Sequence, residues 1–73
     1  MYREILLQLR QPWYDEKESA EQHAPKLLGL LNEFGGEEEG EQIAKLLTIV
    51  SGSADDPEDV LDEVYGDLLR RAE

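Results

Sequence analysis

Apolar residues recur at helical spacing in four segments of the chain, and no segment alternates between apolar and polar positions as a strand would. The first segment spans residues 2–11 and predicts a short helix. Pro12 is expected to end it, because the residue before a proline is disfavoured in the α region. Trp13 and Tyr14 then fall in a connection, where aromatic rings commonly close the end of a small helical core.

The second segment predicts a helix interrupted by a proline. Asp15 and Glu18 have the spacing of a capping box, so the helix should begin near Glu16. The glycine pair 35–36 should end it in the left-handed C-cap conformation. Pro25 lies inside, and an interior proline costs roughly 3 kcal/mol through a lost hydrogen bond and a clash. The helix is therefore expected to be either kinked or split at Pro25.

The last two segments predict helices with well-marked ends. The third helix should run from about Glu38 to Val50, and Gly52 should stop it. The fourth should begin with Asp56 as N-cap and Pro57 as its first residue. The predicted inward-facing residues of these two helices are Ile43, Leu46, Leu47, Val50, Val60, Leu61, Val64, Leu68 and Ala72. The expected fold is all-α: a compact antiparallel bundle of four short helices in one domain, residues 1–73.

Several helices carry an apolar residue beside the main stripe, which is more than four short helices easily bury. These residues are Leu7, Leu30, Ile49 and Leu69. These extra apolar side chains are expected to pack across a homodimer interface or against another protein.

The charge of the chain is concentrated in one stretch. The 73 residues include 18 Asp and Glu but only 7 Lys and Arg, which gives a net charge of -11. Residues 33–67 contain twelve of the acids and a single base, Lys45. Such a chain is not expected to bind nucleic acid directly, because phosphate contacts require excess Lys and Arg. It also lacks the run of about 20 apolar residues that would cross a bilayer.

The residue types for common catalytic and metal sites are missing or poorly spaced. There is no cysteine, which excludes disulfides and thiolate-bound metals and fits a cytoplasmic protein. His23 is the only histidine, lacks the Glu-x-x-His spacing of di-iron bundles, and is expected at a surface or boundary. Paired carboxylates need a pocket to separate their pKa values, and four short helices leave little room for one. The sequence therefore predicts no enzyme activity, no cofactor and no bound metal.

The acidic clusters admit two interpretations. They can be helix-start residues on a solvated face, or they can form a docking face for a basic protein. Under the second hypothesis, acids at helical spacing on the last helix present together, and Tyr65 acts as an aromatic anchor among them. The predicted partner-binding residues are Asp55, Asp59, Asp62, Glu63, Tyr65 and Asp67.

One segment resembles a known family. The run Asp55-Asp56-Pro57-Glu58, leading into Val60, Val64 and Arg70, is similar to the last helix of colicin-type nuclease immunity proteins. Those proteins are also small, acidic and four-helical. The paired tyrosines that they place just before that helix are missing, because residues 51–54 read Ser-Gly-Ser-Ala. The resemblance therefore implies no binding residues in this chain.

Charge and size together predict a small acidic protein that docks on a basic surface of a protein partner, as an inhibitor, an immunity protein or an antitoxin does. The alternative is a homo-oligomeric helical structural or adaptor protein whose acidic face only maintains solubility.

Overall fold

Four α-helices make up the computed structural model, which describes residues 2–35 and 37–72. They are α1 (Tyr2–Tyr14), α2 (Ala20–Phe34), α3 (Gly40–Val50) and α4 (Pro57–Arg71), with a 3-10 turn at Glu37–Glu39 before α3. The described residues contain no strand. The all-α prediction is therefore confirmed, and the radius of gyration of 11.1 Å is that of a compact globule.

Helix α1 continues through Pro12 to Tyr14, so the prediction that Pro12 ends it is wrong. The last turn is stabilised from outside the helix, since Trp13 is buried and stacks on the ring of Tyr65. The carbonyl of Pro12 also accepts a hydrogen bond from the Lys17 amide at 2.9 Å. The tertiary stacking of Trp13 and this local hydrogen bond together outweigh the preference against a helical residue before proline.

Helix α2 begins at Ala20, four residues later than predicted. Glu16 has a φ of 64°, and this left-handed conformation cannot start a right-handed helix. The capping box is made by Ser19 and Gln22 instead, each side chain accepting from the other residue's amide. The side chain of Asp15 instead accepts a hydrogen bond from Gln11 at 2.9 Å.

The proline inside α2 does not split the helix. Ala20–Phe34 is one continuous helix with Pro25 in its interior, so the split alternative is wrong, while a bend there stays a prediction. Gly35 follows with φ -79° and ψ 155°, which is extended rather than the predicted left-handed conformation. A Cβ at Gly35 would lie 2.5 Å from the Leu31 carbonyl oxygen, so the close approach requires glycine. Its partner in the prediction, residue 36, lies outside the described residues.

Helix α3 turns a different face inward from the one predicted. Its buried residues are Gln42, Leu46 and Ile49. Leu47 and Val50, which the sequence analysis places in the core, are each 49% exposed. The amphipathic pattern of α3 is broad, and the packing against α2 and α4 selects one side of it.

The predicted start of α4 is confirmed. The Asp56 side chain accepts a hydrogen bond from the Asp59 amide at 3.2 Å, and Pro57 is the first helical residue. All four helices contribute to the core, and α4 packs against each of the other three. The buried apolar residues of the core are Leu6, Trp13, Ala20, Ala24, Leu27, Leu31, Leu46, Ile49, Leu61, Val64, Tyr65 and Leu68.

Candidate functional site

The outward side of α4 and the loop before it carry acidic side chains that the fold does not use. Asp55, Asp59 and Asp62 are exposed. None of their carboxylates has an ion-pair or hydrogen-bond partner among residues 2–35 and 37–72. We call these three residues the acidic face. Asp59 and Asp62 lie three positions apart and therefore on one side of α4, and Asp55 lies in the loop just before it.

A second group of acids surrounds Lys45, where α3 meets α4. The Lys45 Nζ lies 2.6 Å from Glu63, 3.7 Å from Glu41 and 3.8 Å from Asp67. The hydrogen bond to Glu63 raises the pKa of Lys45 above its ordinary value. The hydrogen bond from Arg70 lowers the pKa of the Asp67 carboxyl. Glu63 and Asp67 therefore already have partners, unlike the acidic face.

Tyr65 does not belong to this surface, and the prediction that it anchors a partner is wrong. The side chain is 1% exposed because it lies on the inner side of α4, with Leu61, Val64 and Leu68. Its hydroxyl lies 2.6 Å from His23 Nε2. Burial raises the pKa of the Tyr65 phenol well above its usual range. Its four-residue spacing from Leu61 on an amphipathic helix is the signal for this inward position.

His23 is fully buried, so the prediction of a surface or boundary position is also wrong. Its Nδ1 lies 2.9 Å from a Glu18 carboxylate oxygen. A carboxylate only accepts, so Nδ1 carries a proton, and in the neutral imidazole Nε2 then accepts from the Tyr65 hydroxyl. Glu18 also pairs with Lys26, and the hydrogen bonds from Lys26 and His23 lower the Glu18 pKa.

The Trp13 ring covers this polar chain. It stacks on His23 with ring centroids 6.1 Å apart and on Tyr65 at 5.7 Å. Glu58 of α4 accepts from Trp13 Nε1 at 2.9 Å and from the Ala20 amide at 2.7 Å. One carboxylate thus ties the end of α1 and the first turn of α2 to α4. We call Trp13, Glu18, His23, Glu58 and Tyr65 the buried junction: its three rings are buried, Glu18 is half-buried and Glu58 lies exposed at its edge.

The large apolar residues that remain exposed are not the surplus that the sequence indicates. Of the predicted surplus residues, Ile49 belongs to the core, and Leu30 and Leu69 are partly buried and pack against the core. Among residues 2–35 and 37–72, the large apolar side chains that are exposed are Ile5, Tyr14, Phe34, Leu47 and Val50. Leu47 and Val50 lie three residues apart on α3, so they form one continuous apolar surface.

The described residues enclose no pocket and contain no group of three or more side chains able to hold a metal ion. None of the described helices combines the length and the apolar character needed to span a bilayer. Comparison of the chain with protein-family models, with curated proteins and with solved structures finds no match.

Proposed function

We propose that this protein is a small acidic binding domain that docks on a basic surface of a protein partner and acts as an inhibitor, an immunity protein or an antitoxin does. The observation that carries the proposal is the acidic face. Asp55, Asp59 and Asp62 are exposed carboxylates without an ion-pair partner in the described part of the chain. Mixed-sign surfaces are the usual arrangement, and these acids depart from it.

The contacts that hold α4 in place also support the proposal. We propose that α4 is one member of an antiparallel bundle. Arg3 donates to the Leu69 carbonyl at 2.6 Å, and Glu58 bonds to both Trp13 and Ala20. A helix tied to its neighbours at both ends presents its charges in one arrangement. Preorganised charge of this kind increases the association rate with a basic surface and disfavours acidic competitors.

Gly66 adds a further argument. It is exposed in the interior of α4, and a Cβ built on it would meet no heavy atom within 4 Å. The fold therefore does not require glycine, although glycine costs a helix interior about 0.5–1 kcal/mol relative to alanine. Because Asp62 lies one turn away, the missing side chain would allow a partner to approach the α4 backbone closely beside the acidic face.

Charge reversal tests the proposal. The variant Asp55→Lys/Asp62→Lys removes two unpaired acids from the acidic face, and Glu16→Lys/Glu33→Lys makes the same change of charge at exposed acids elsewhere. The tagged proteins would be used as baits in a native lysate at about 50 mM and about 500 mM salt, since exposed charge pairs are largely screened at the higher concentration. Circular dichroism would confirm that each variant is folded.

The expected result is a basic protein retained by the wild type and by the control variant at low salt, lost at high salt, and not retained by Asp55→Lys/Asp62→Lys. Equal retention by the two double variants would refute the acidic face as the binding surface. Recovery of the bait alone would favour the alternative, in which exposed apolar residues such as Leu47 mediate self-association and the acids only maintain solubility.

A further inference from the structure

Helix α3 presents an apolar surface that the core leaves uncovered. Leu47 and Val50 are each 49% exposed, and Ile43 is partly buried against the core. Their spacing of four and three residues places them in one row along the helix. We call these three residues the α3 stripe.

A row of small exposed residues runs beside the α3 stripe. Gly40, Ala44 and Thr48 follow each other at four-residue spacing and are all exposed. A Cβ at Gly40 would meet no heavy atom within 4 Å. A ridge of large side chains next to a shallow row has the shape that receives the ridge of another helix. Helix α3 has 11 residues and is about 16 Å long, so an occupant of about three turns would cover it.

The side of α3 that faces α4 is negatively charged. Glu41 is 71% exposed, and its neighbour Lys45 is shared with Glu63 and Asp67 at distances below 4 Å. Three carboxylates therefore surround one ammonium group, and because Arg70 also pairs with Asp67, the cluster keeps one excess negative charge. By helical geometry the small row lies between this cluster and the α3 stripe.

The charge selects between the possible occupants. Packed helices lie with their axes 8–10 Å apart, which is close to the Debye length of about 8 Å at physiological salt. A second copy packed in this way would bring another acidic chain of net charge -11 into contact with the first, and repulsion would oppose the contact. A basic helix would bury the same apolar residues and would also be attracted by the carboxylates.

We propose that the α3 stripe is the docking site for an amphipathic basic helix of the partner, with its apolar side chains on Leu47 and Val50 and its Lys or Arg residues toward Glu41 and Glu63. The inference rests on the proposed function, because it names the element of the basic partner that this domain holds. An amphipathic helix that lays its apolar face into a hydrophobic groove is a recurring mode of peptide recognition.

The test uses two peptides of about four turns, one of Leu and Lys and one with the same Leu pattern and Glu in place of Lys. Each would be titrated into isotopically labelled protein and followed by amide chemical shifts, and affinities would be measured by fluorescence anisotropy. The Leu/Lys peptide should bind one to one and shift the amides around Leu47 and Val50. The Leu/Glu peptide should not bind.

The variant Leu47→Asn/Val50→Asn should weaken binding of the Leu/Lys peptide about tenfold, the effect of losing two half-buried apolar contacts. Ile5→Asn/Tyr14→Asn is the matched control, since it removes two exposed apolar residues from α1 and should leave affinity unchanged. Both variants change only exposed side chains, and circular dichroism would verify their fold.

Several outcomes would overturn the inference. Equal binding of the Leu/Glu peptide would remove the role of charge, and a dimer that Leu47→Asn/Val50→Asn abolishes would make a second copy the occupant. Shifts confined to Asp55, Asp59 and Asp62 would reject the α3 stripe while the proposed function stands. Conversely, peptide binding at the α3 stripe together with equal partner capture by Asp55→Lys/Asp62→Lys would reject the acidic face but keep the stripe.

Discussion

The buried junction and the acidic face use the same kind of residue in opposite ways. In the buried junction, Glu18 and Glu58 accept hydrogen bonds from His23, Trp13 and Ala20. On the acidic face, Asp59 and Asp62 follow Glu58 within one turn of the same helix and have no partner in the described residues. A glutamate on the inner edge of α4 thus helps to hold the fold together, while an aspartate on its outer side is left available.

This contrast has a physical basis. The rings of Trp13 and His23 are buried, and a buried N–H donor is costly without an acceptor, so the buried junction needs Glu58 and Glu18 as acceptors. An exposed carboxylate is solvated, and its cost to the fold is limited to repulsion from like charges. Stability and binding are therefore expected to depend on different residues of α4.

The largest expected effect is a difference in stability between variants of two neighbouring aromatic residues, Trp13 and Tyr14. Trp13→Ala should lower the free energy of unfolding by about 3–5 kcal/mol, because it removes a buried ring and the hydrogen bond from its Nε1 to Glu58, which keeps only the Ala20 amide as a donor. Tyr14→Ala should change it by no more than about 0.5 kcal/mol, since that ring is 59% exposed. Urea denaturation followed by circular dichroism would measure both. Similar losses for the two variants would contradict the described end of α1.

The next effect concerns the hydroxyl of Tyr65. Tyr65→Phe should cost about 1–3 kcal/mol at neutral pH, because it leaves the buried His23 Nε2 without its hydrogen bond. Tyr14→Phe removes an exposed hydroxyl and serves as the control.

The pH dependence of the same variant has a defined sign. The folded protein raises the pKa of Tyr65 above its ordinary value of 10.0. The protonated phenol therefore contributes stability that is complete below pH 10 and is lost as the pH rises above it. The wild type should lose stability faster than Tyr65→Phe in that range, as thermal melts across the alkaline range would show. Parallel curves would mean that Tyr65 ionises equally in the folded and unfolded chains.

The smallest effect compares two acids of α4. Glu58→Gln should cost about 1–2 kcal/mol, because the amide oxygen can accept from only one of the two donors, Trp13 and Ala20, in the same geometry. Asp62→Asn should be neutral or stabilising by a few tenths of a kcal/mol, because it relieves repulsion with Asp59 and Glu58. Chemical denaturation of both would sharpen the comparison, and a destabilising Asp62→Asn would show that the fold uses this carboxylate.

Local signals in the sequence determined the helical class and some helix ends. Four stripes at helical spacing predict four helices, and Asp56 with Pro57 predicts the start of α4, because a cap acts on the amides next to it. Gly52, with φ 80°, follows α3 as predicted, since only a residue without Cβ adopts that conformation easily. The candidate acids could also be named from sequence, because exposure of Asp55, Asp59 and Asp62 follows from their polarity.

Only the tertiary structure decided which side of α3 is buried, how far α1 extends, and which polar residues lie inside. Leu46 and Leu47 are chemically alike, and only the positions of α2 and α4 bury the first and expose the second. Pro12 signals a helix end locally, but stacking of Trp13 carries the helix past it. His23 and Tyr65 are 42 residues apart, and no local pattern announces their hydrogen bond. Contacts between distant residues depend on how the helices pack, which the sequence of one helix does not contain.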